Sequence, residues 1–153
     1  MVEPNLFDMT DNIYSEQRSA VMRAVRAKNT APERIVRSIL HRSGYRFRLH
    51  RSDLPGKPDI VLPSRRAVIM VHGCFWHSHS DPACNRARQP KSRVEYWKPK
   101  LARNAARDQI ALDELEAQGW RTLVIWECEL GNLDVVKQRL VEFLGASPSS
   151  SGR

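Results

Sequence analysis

Residues Ala67 to Cys84, AVIMVHGCFWHSHSDPAC, decide how the rest of this chain is interpreted. The stretch begins with an apolar run, Ala67 to Val71, which predicts a buried strand near the centre of a sheet. It ends in a segment with three histidines and two cysteines, side chains that often bind metals. A strand that ends in such a cluster predicts a site at one edge of the sheet.

The composition is that of a basic globular protein. With 153 residues and 41% hydrophobic residues, the chain is long enough for one domain with a core. The formal net charge of +8 favours an anionic partner, most commonly nucleic acid, although many basic proteins bind no polyanion. Three cysteines fit a site of three thiolates and one histidine at least as well as they fit unrelated thiols.

The domain prediction has three parts. We expect a flexible arm over residues 1–14, a single domain over 15–145 and a disordered, serine-rich tail over 146–153. The first residues lack the regions of a signal peptide, and no stretch approaches the ~20 apolar residues that span a bilayer. The sequence therefore predicts a cytoplasmic protein with no membrane partner.

Hydrophobic periodicity predicts an α/β fold with a single mixed sheet flanked by helices. A basic helix is predicted over residues 15–28, and a second helix from a capping pattern at 30–33 to about Gly44. A helix between the third and fourth strands predicts that these strands are parallel. The strands are predicted over 45–49, 59–62, 67–71 and 121–126, and the later helices over 94–118 and 133–144.

The helix over residues 94–118 carries a charge on its apolar stripe. Pro99 marks a kink or the first turn, and Asp108 lies among apolar side chains at helical spacing. An isolated buried charge is costly, so we expect a partner for Asp108 from the sheet. The other inward side chains are predicted to be Leu101, Ala105, Leu112 and Leu115 here, and Ile35, Val36, Ile39 and Leu40 in the second helix.

Cysteine and histidine spacing predicts a structural zinc site. Cys74, His79 and Cys84 follow one another as C-x4-H-x4-C, and Cys128 follows the fourth strand. If the third and fourth strands are neighbours, Cys74 and Cys128 lie at the same sheet edge. Three thiolates and one imidazole would form a closed tetrahedral site. Three unrelated reduced cysteines are the alternative, and spacing alone does not choose the histidine. The candidates are His72, His77 and His79.

A second group of polar residues predicts a nuclease site beside these ligands. Asp59 begins the second strand, His72 ends the third and His77 follows it, while Asp108 lies on the next helix. A carboxylate on one strand and a metal-binding residue on the next can hold Mg2+ against a phosphate. A histidine oriented by a carboxylate can act as a general base towards water. Each residue alone has an ordinary structural explanation, but together they favour phosphodiester hydrolysis.

Three motifs of this chain resemble those of one nuclease family. Pro58-Asp59 ahead of the third strand is similar to the start of a PD-(D/E)xK core, the fold of restriction endonucleases. More specific are LPGKPD at 54–59, HGCFWH at 72–77 and VIWEC at 124–128. With them the chain closely resembles the Vsr family of very-short-patch repair endonucleases from about Gln17 to Leu144. The resemblance implies Mg2+-dependent nicking of DNA on the 5′ side of the thymine in a T:G mismatch, which arises by deamination of 5-methylcytosine.

The resemblance implies which residues hold the magnesium ion. Asp59 would be one ligand, and the main-chain carbonyl of Val71 would be another, at a position where the family often has threonine. Glu33 would reach the metal through water. The capping pattern at 30–33 gives Glu33 a competing role, a bond back to the helix cap.

The resemblance also implies roles for the histidines and cysteines. His77 would be the general base, oriented by Asp108, and His72 would stabilise the phosphate or the leaving group. The zinc ligands would be Cys74, His79, Cys84 and Cys128, with a longer segment between His79 and Cys84 than in the best-known members.

Aromatic and basic residues are predicted to contact DNA. Phe75 and Trp76 would act as a wedge between base pairs, a step that a weakened mismatch makes easier. Met22 matches a residue that the family inserts from its N-terminal helix, although it fits a core methionine of an amphipathic helix equally well. The residues expected to contact phosphates are Arg18, Arg23, Arg26 and Lys28.

The implied partner is double-stranded DNA with a T:G mismatch, on which the protein would associate with the nucleoid. One nick needs one site, so we expect a monomer. The resemblance further implies a functional link to a cytosine-5 DNA methyltransferase and to mismatch-repair proteins. Two alternatives stay open: a restriction-type or structure-specific nuclease on the same core, and a zinc-stabilised DNA-binding module without catalysis.

Overall fold

The computed structural model describes residues 30–87 and 91–146. No helix in these ranges is long and apolar enough to cross a membrane. The chain divides into two units, Met1–Thr30 and Ala31–Arg153, and every helix and strand below belongs to the second. The predicted arm over 1–14, the basic helix over 15–28 and nearly all of the tail lie outside the described residues.

The described strands form one mixed sheet in the order β1-β2-β3-β4. The pairs β1–β2 and β2–β3 are antiparallel. The pair β3–β4 is parallel, as the helix between these strands predicted. The central position of β3 explains its uninterrupted apolar sequence, since both of its faces are covered. The strands are β1 Arg48–Leu49, β2 Ile60–Leu62, β3 Ala67–His72 and β4 Arg121–Trp126.

Helices cover both faces of the sheet. On one face, α1 and α3 pack against alternate residues such as Ile60 and Ile69; on the other, α2 packs against the residues between them, such as Val61 and Val68. The helices are α1 Ala31–Arg42, α2 Val94–Ala117 and α3 Leu133–Leu144, and short 3-10 turns cover Pro63–Arg65, Asn85–Ala87 and Glu127–Gly131.

The prediction of a five-residue first strand over 45–49 is wrong. The backbone N–H of Tyr45 donates to Leu40 O at 3.1 Å, so Tyr45 completes the end of α1 and does not pair in the sheet. Its hydroxyl donates to Gly145 O, which ties the residue to the end of α3. Only Arg48 and Leu49 remain to pair with β2.

The inward face predicted for α1 is correct except at one position. Val36 and Leu40 are buried and Ile39 packs against the core, but Ile35 is 37% exposed. Glu33 is buried in its place, because residues 33, 36 and 40 lie on one side of a helix with 3.6 residues per turn. A carboxylate therefore takes a position that the hydrophobic pattern assigned to isoleucine.

Three arginines bind the carboxyl ends of α2 and α3. Arg66 donates to Gln118 O at 2.8 Å, Arg65 to Leu144 O at 2.6 Å and Arg121 to Phe143 O at 2.5 Å. These carbonyls carry the partial negative charge of a helix end. The guanidinium groups also lie over the rings of Trp120, Tyr45 and Phe143, respectively. The edge of the sheet opposite the carboxyl end of β3 is thereby fixed to both helices.

Candidate active site and metal centre

The parallel pairing of β3 and β4 brings the segments that follow them together. His72 is level with Trp126 in the sheet, so the next residues of both strands leave it at the same edge. There the backbone N–H of Cys128 donates to Cys74 Sγ at 3.4 Å. The predicted meeting of these two cysteines is confirmed.

A cluster of three cysteines and one histidine lies at this edge. The candidate ligand atoms of Cys74, His79, Cys84 and Cys128 all lie within 4.8 Å of one another. A zinc ion with bonds of about 2.3 Å to sulfur and 2.0 Å to nitrogen places two ligand atoms about 3.5 to 3.8 Å apart. Cys128 Sγ lies 3.5 Å from His79 Nδ1, so the donor set and its spacing fit zinc.

Burial shapes the chemistry of this cluster. Cys74 is fully buried, and burial raises the pKa of its thiol to about 12. A bound cation, rather than the solvent pH, would therefore bring about its ionisation. His79 stacks on Trp126, with ring centroids 4.2 Å apart, which fixes its plane towards the thiols.

A second cluster joins two carboxylates and a histidine from three elements. Glu33 comes from α1, His50 follows β1, and Asp59 directly precedes β2; their candidate ligand atoms lie within 4.8 Å of one another. Asp59 Oδ2 accepts a hydrogen bond from the N–H of Val71 at 2.8 Å. Asp59 is thereby fixed to the central strand of the sheet.

The environment of Asp59 fits a cation site. Burial raises the pKa of its carboxyl to about 6; the N–H of Val71 opposes the rise, and the neighbouring Glu33 carboxylate adds to it. Two carboxylates share a largely buried site, where a divalent cation would relieve both their repulsion and their desolvation. Oxygen donors of this kind suit Mg2+.

His50 is a member of this cluster that the sequence did not reveal. Its Nε2 lies 2.8 Å from Glu33 Oε1. No spacing rule connects a lone histidine in a loop to Glu33 or Asp59. Only the pairing of Leu49 with Ile60 places the residue after β1 beside the residue before β2.

A third cluster contains a histidine and carboxylate pair. His77 Nδ1 lies 2.5 Å from Asp108 Oδ2. The partner of Asp108 was expected from the sheet, and this expectation is wrong, because α2 places Asp108 beside the loop beyond the end of β3. The predicted pairing of His77 with Asp108 is present in the structure.

His72 stacks on His77 and completes this cluster. The two rings are nearly parallel, with centroids 3.8 Å apart, and the edge of Trp126 lies against His72. Burial, together with the nearby His77 ring, lowers the pKa of His72 to about 4, although the Asp108 carboxylate opposes the shift. His72 is therefore neutral at pH 7, and its buried Nδ1 has no hydrogen-bond partner within residues 30–87 and 91–146.

Phe75 and Trp76 belong to an aromatic group with a third member. Trp97, on α2, contacts both rings edge to face, with centroids 5.4 and 5.7 Å away. Asn104 Nδ2 donates to Trp76 O at 3.2 Å, and Lys100 Nζ lies 5.7 Å from the Trp76 ring. Trp97 was not predicted from the sequence, although it lies four residues before Leu101 on the same helical stripe.

The remaining predicted DNA contacts cannot be located in this structure. Met22 and the basic residues around it lie outside the described residues. These basic residues are Arg18, Arg23, Arg26 and Lys28.

The fold of this protein resembles a solved structure, and its sequence matches a known family. The fold is similar to the catalytic domain of the homing endonuclease I-Bth0305I, with a TM-score of 0.51 and 25% identity over 75% of this chain and 94% of that domain. The protein is a DNA endonuclease with a restriction-endonuclease-like fold. Residues 10–86 match the family described as DNA mismatch endonuclease Vsr. The chain belongs to the Vsr family, and the resemblance seen in the sequence is confirmed.

Three relatives show how far the similarity extends. The type II nicking enzyme V.XorIIP of Xanthomonas oryzae pv. oryzae is 55% identical over 91% of this chain and 100% of that protein. The type II nicking enzyme V.NmeAIP of Neisseria meningitidis is 42% identical over 86% of this chain and 92% of its own length. The DNA mismatch endonuclease Vsr of Escherichia coli K12 is 40% identical over 89% of this chain and 86% of that protein.

Proposed function

We propose that this endonuclease nicks duplex DNA on the 5′ side of the thymine in a T:G mismatch and requires Mg2+. One observation carries the proposal: the cluster of Glu33, His50 and Asp59 and the pair of His77 and Asp108 meet at the end of β3. Asp59 bonds to Val71, the adjacent His72 stacks on His77, and His77 pairs with Asp108. A metal ion that stabilises charge on the phosphate, beside a base that takes a proton from water, can carry out phosphodiester hydrolysis.

Asp59 is the proposed protein ligand of the magnesium ion. The Val71 N–H orients the carboxylate, and the Val71 main-chain carbonyl is proposed as a second ligand. Glu33, 3% exposed, would hold a water of the ion. When bound, Mg2+ supplies charge stabilisation to the phosphate that is cut.

His77 is the proposed general base. With Nδ1 paired to Asp108, Nε2 remains to take a proton from water. The Asp108 carboxylate would keep the ring in this orientation and stabilise the imidazolium that forms. His72, neutral and stacked on His77, is proposed to stabilise the phosphate or the leaving group.

Recognition of the mismatch is proposed for the aromatic residues that follow β3. Phe75 and Trp76 would enter between base pairs, at a few kcal/mol of unstacking that a mismatch lowers. Met22 would enter from the N-terminal helix, and the arginines and lysine around it would contact phosphates.

The endonuclease domain is proposed to run from residue 15 to 145, with the N-terminal arm and the C-terminal tail outside it.

A structural zinc ion is proposed at the Cys3His cluster. It would join the loop that carries His77 and Trp76 to the end of β4 through Cys128. The base and the wedge would thus keep a fixed relation to each other.

The reaction would begin the repair of deaminated 5-methylcytosine. This use links the enzyme to a cytosine-5 DNA methyltransferase and to mismatch-repair proteins. The enzyme is proposed to act as a monomer, because a single nick requires a single site. The nicking enzymes among its relatives support cleavage of one strand.

The test uses end-labelled duplexes that differ only in a T:G or T:A pair, with and without Mg2+. We expect a nick 5′ to the thymine in the T:G duplex alone, and none after Asp59→Asn. Asp53→Asn is the matched control, since Asp53 is an exposed carboxylate paired with Arg51. Cleavage of both strands of the matched duplex would favour a restriction-type nuclease. Tight binding without cleavage would favour a non-catalytic DNA-binding module.

A further inference from the structure

His50 is a half-buried polar residue that the proposed mechanism does not use. Its side chain is 14% exposed and that of its partner Glu33 is 4% exposed. The two atoms in contact, His50 Nε2 and Glu33 Oε1, lie 2.8 Å apart. His50 and Glu33 form a cluster with Asp59, in which the candidate ligand atoms lie within 4.8 Å of one another.

The backbone holds His50 in an unusual conformation. Its φ of 50° lies in the left-handed region, which is uncommon for residues other than glycine. The N–H of His50 donates to Asp59 O at 3.2 Å, which continues the pairing of β1 with β2. Strained conformations persist where surrounding contacts determine them. Here the hydrogen bonds of His50 run to Asp59 and Glu33.

The spacing of the donor atoms matches the coordination of one ion. Ligands about 2.1 Å from an octahedral cation lie about 3.0 Å apart when adjacent and about 4.2 Å apart when opposite. The ligand atoms of His50, Glu33 and Asp59 all lie within 4.8 Å of one another, which allows His50 and Asp59 to bind one ion while Glu33 holds one of its waters.

We infer that His50 is a nitrogen ligand of the cation site at Asp59, and that this site therefore binds Mn2+ more tightly than Mg2+. The inference rests on the proposed function, since it takes Asp59 as the cation ligand. Mg2+ prefers oxygen ligands and keeps several waters. An imidazole donor instead favours transition-metal ions. Mn2+ is the suitable probe, because the thiolates of the Cys3His cluster select softer metals.

The experiment measures Mn2+ binding to the zinc-loaded protein without DNA, by electron paramagnetic resonance. We expect Mn2+ to bind at least about tenfold more tightly than Mg2+ in competition. We also expect nitrogen modulation of the electron spin echo from a bound imidazole. His50→Gln should lose both the Mn2+ preference and the nitrogen modulation, whereas its affinity for Mg2+ should change less than about threefold. His41→Gln, at the exposed end of α1, should behave as wild type.

The outcomes separate this inference from the proposed function. If the modulation is absent in wild type, or survives in His50→Gln with the Mn2+ preference intact, His50 is not a ligand. Asp59→Asn should lose Mn2+ binding together with nicking. If Asp59→Asn nicks T:G duplexes as wild type does, the proposed function fails, whatever His50 binds. Because the wild-type spectrum is measured first, the inference can be tested even if a variant does not fold.

Discussion

The Asp59 carboxylate lowers the stability of the folded protein when no cation is bound. Its pKa of about 6 lies above the ordinary value of 3.8, chiefly because the carboxyl is buried. Between these pH values the folded protein holds more protons than the unfolded chain, so stability falls as the pH rises. Above about pH 6 the whole cost is present.

We therefore predict that Asp59→Asn stabilises the metal-free protein while it abolishes nicking. In a chelator at pH 7.5 the free energy of unfolding should rise by about 1 to 2 kcal/mol, and near pH 4 it should not rise. Urea unfolding at the two pH values measures the difference, with zinc retained. Asp53→Asn should give no gain at either pH. A variant less stable than wild type at pH 7.5 would contradict the prediction.

Asp108 lets us test the proposed general base without removing it. Asp108→Asn keeps the size of the side chain but cannot stabilise the His77 imidazolium. We predict a fall of about a hundredfold in the single-turnover nicking rate, with little change in DNA affinity. Asp113→Asn, one turn further along α2 and paired with Gln109, is the control and should nick normally. An equal effect of both substitutions would point to the helix rather than to the base.

At the scale of elements, the loop over residues 50–59 depends on one glycine. Gly56 has a φ of 71°, and a Cβ built there would lie 2.6 Å from the Ala111 Cβ on α2. This close approach positions the loop that precedes Asp59 against the helix that carries Asp108. A side chain at residue 56 would force the two apart.

Gly56→Ala should cost about 2 kcal/mol of stability, from backbone strain and the clash with α2. Denaturant unfolding measures it, and the nicking rate should fall as well because the two halves of the site separate. Gly131→Ala is the matched control, since nothing lies within 4 Å of a Cβ built there. If the two variants unfold alike, the close packing of this loop does not support the site.

The elements that the sequence predicted well have strong local determinants. The predicted bounds of β3, β4 and α3 all lie within a residue of those observed, and the apolar run of β3 is the clearest such determinant. The failures came from tertiary contacts. The hydroxyl of Tyr45 donates to Gly145 O at the end of α3, and Glu33 is buried beside His50 where an isoleucine was expected. Both partners are distant in sequence.

The candidate site was predictable where a motif carried it. The cysteines, His77 and Asp108 were found because family motifs or a charge on an apolar stripe marked them. His50 was not, because a single residue in a loop has no spacing pattern. Trp97 was not predicted either, although its helical spacing from Leu101 marks it. Sheet pairing and helix packing bring those two into the site.

At the scale of the whole molecule, the Cys3His cluster connects the loop after β3 with the end of β4. We predict that Cys128→Ser loses zinc and several kcal/mol of stability, because metal bound only by the folded state contributes directly to folding. Metal analysis and thermal unfolding measure both, with wild type in excess zinc as the reference. A variant that keeps its zinc and its melting temperature would show that the cluster is not a structural site.

The three arginines at the ends of α2 and α3 also change how the net charge of the protein is to be counted. The chain has 25 lysines and arginines, yet Arg65, Arg66 and Arg121 are engaged with main-chain carbonyls and aromatic rings. Because these guanidinium groups are held at helix termini, we expect them to contribute little to contacts with DNA phosphates. Counterion release on DNA binding, and hence the steepness of its salt dependence, will reflect a smaller set of cations than the formal charge suggests.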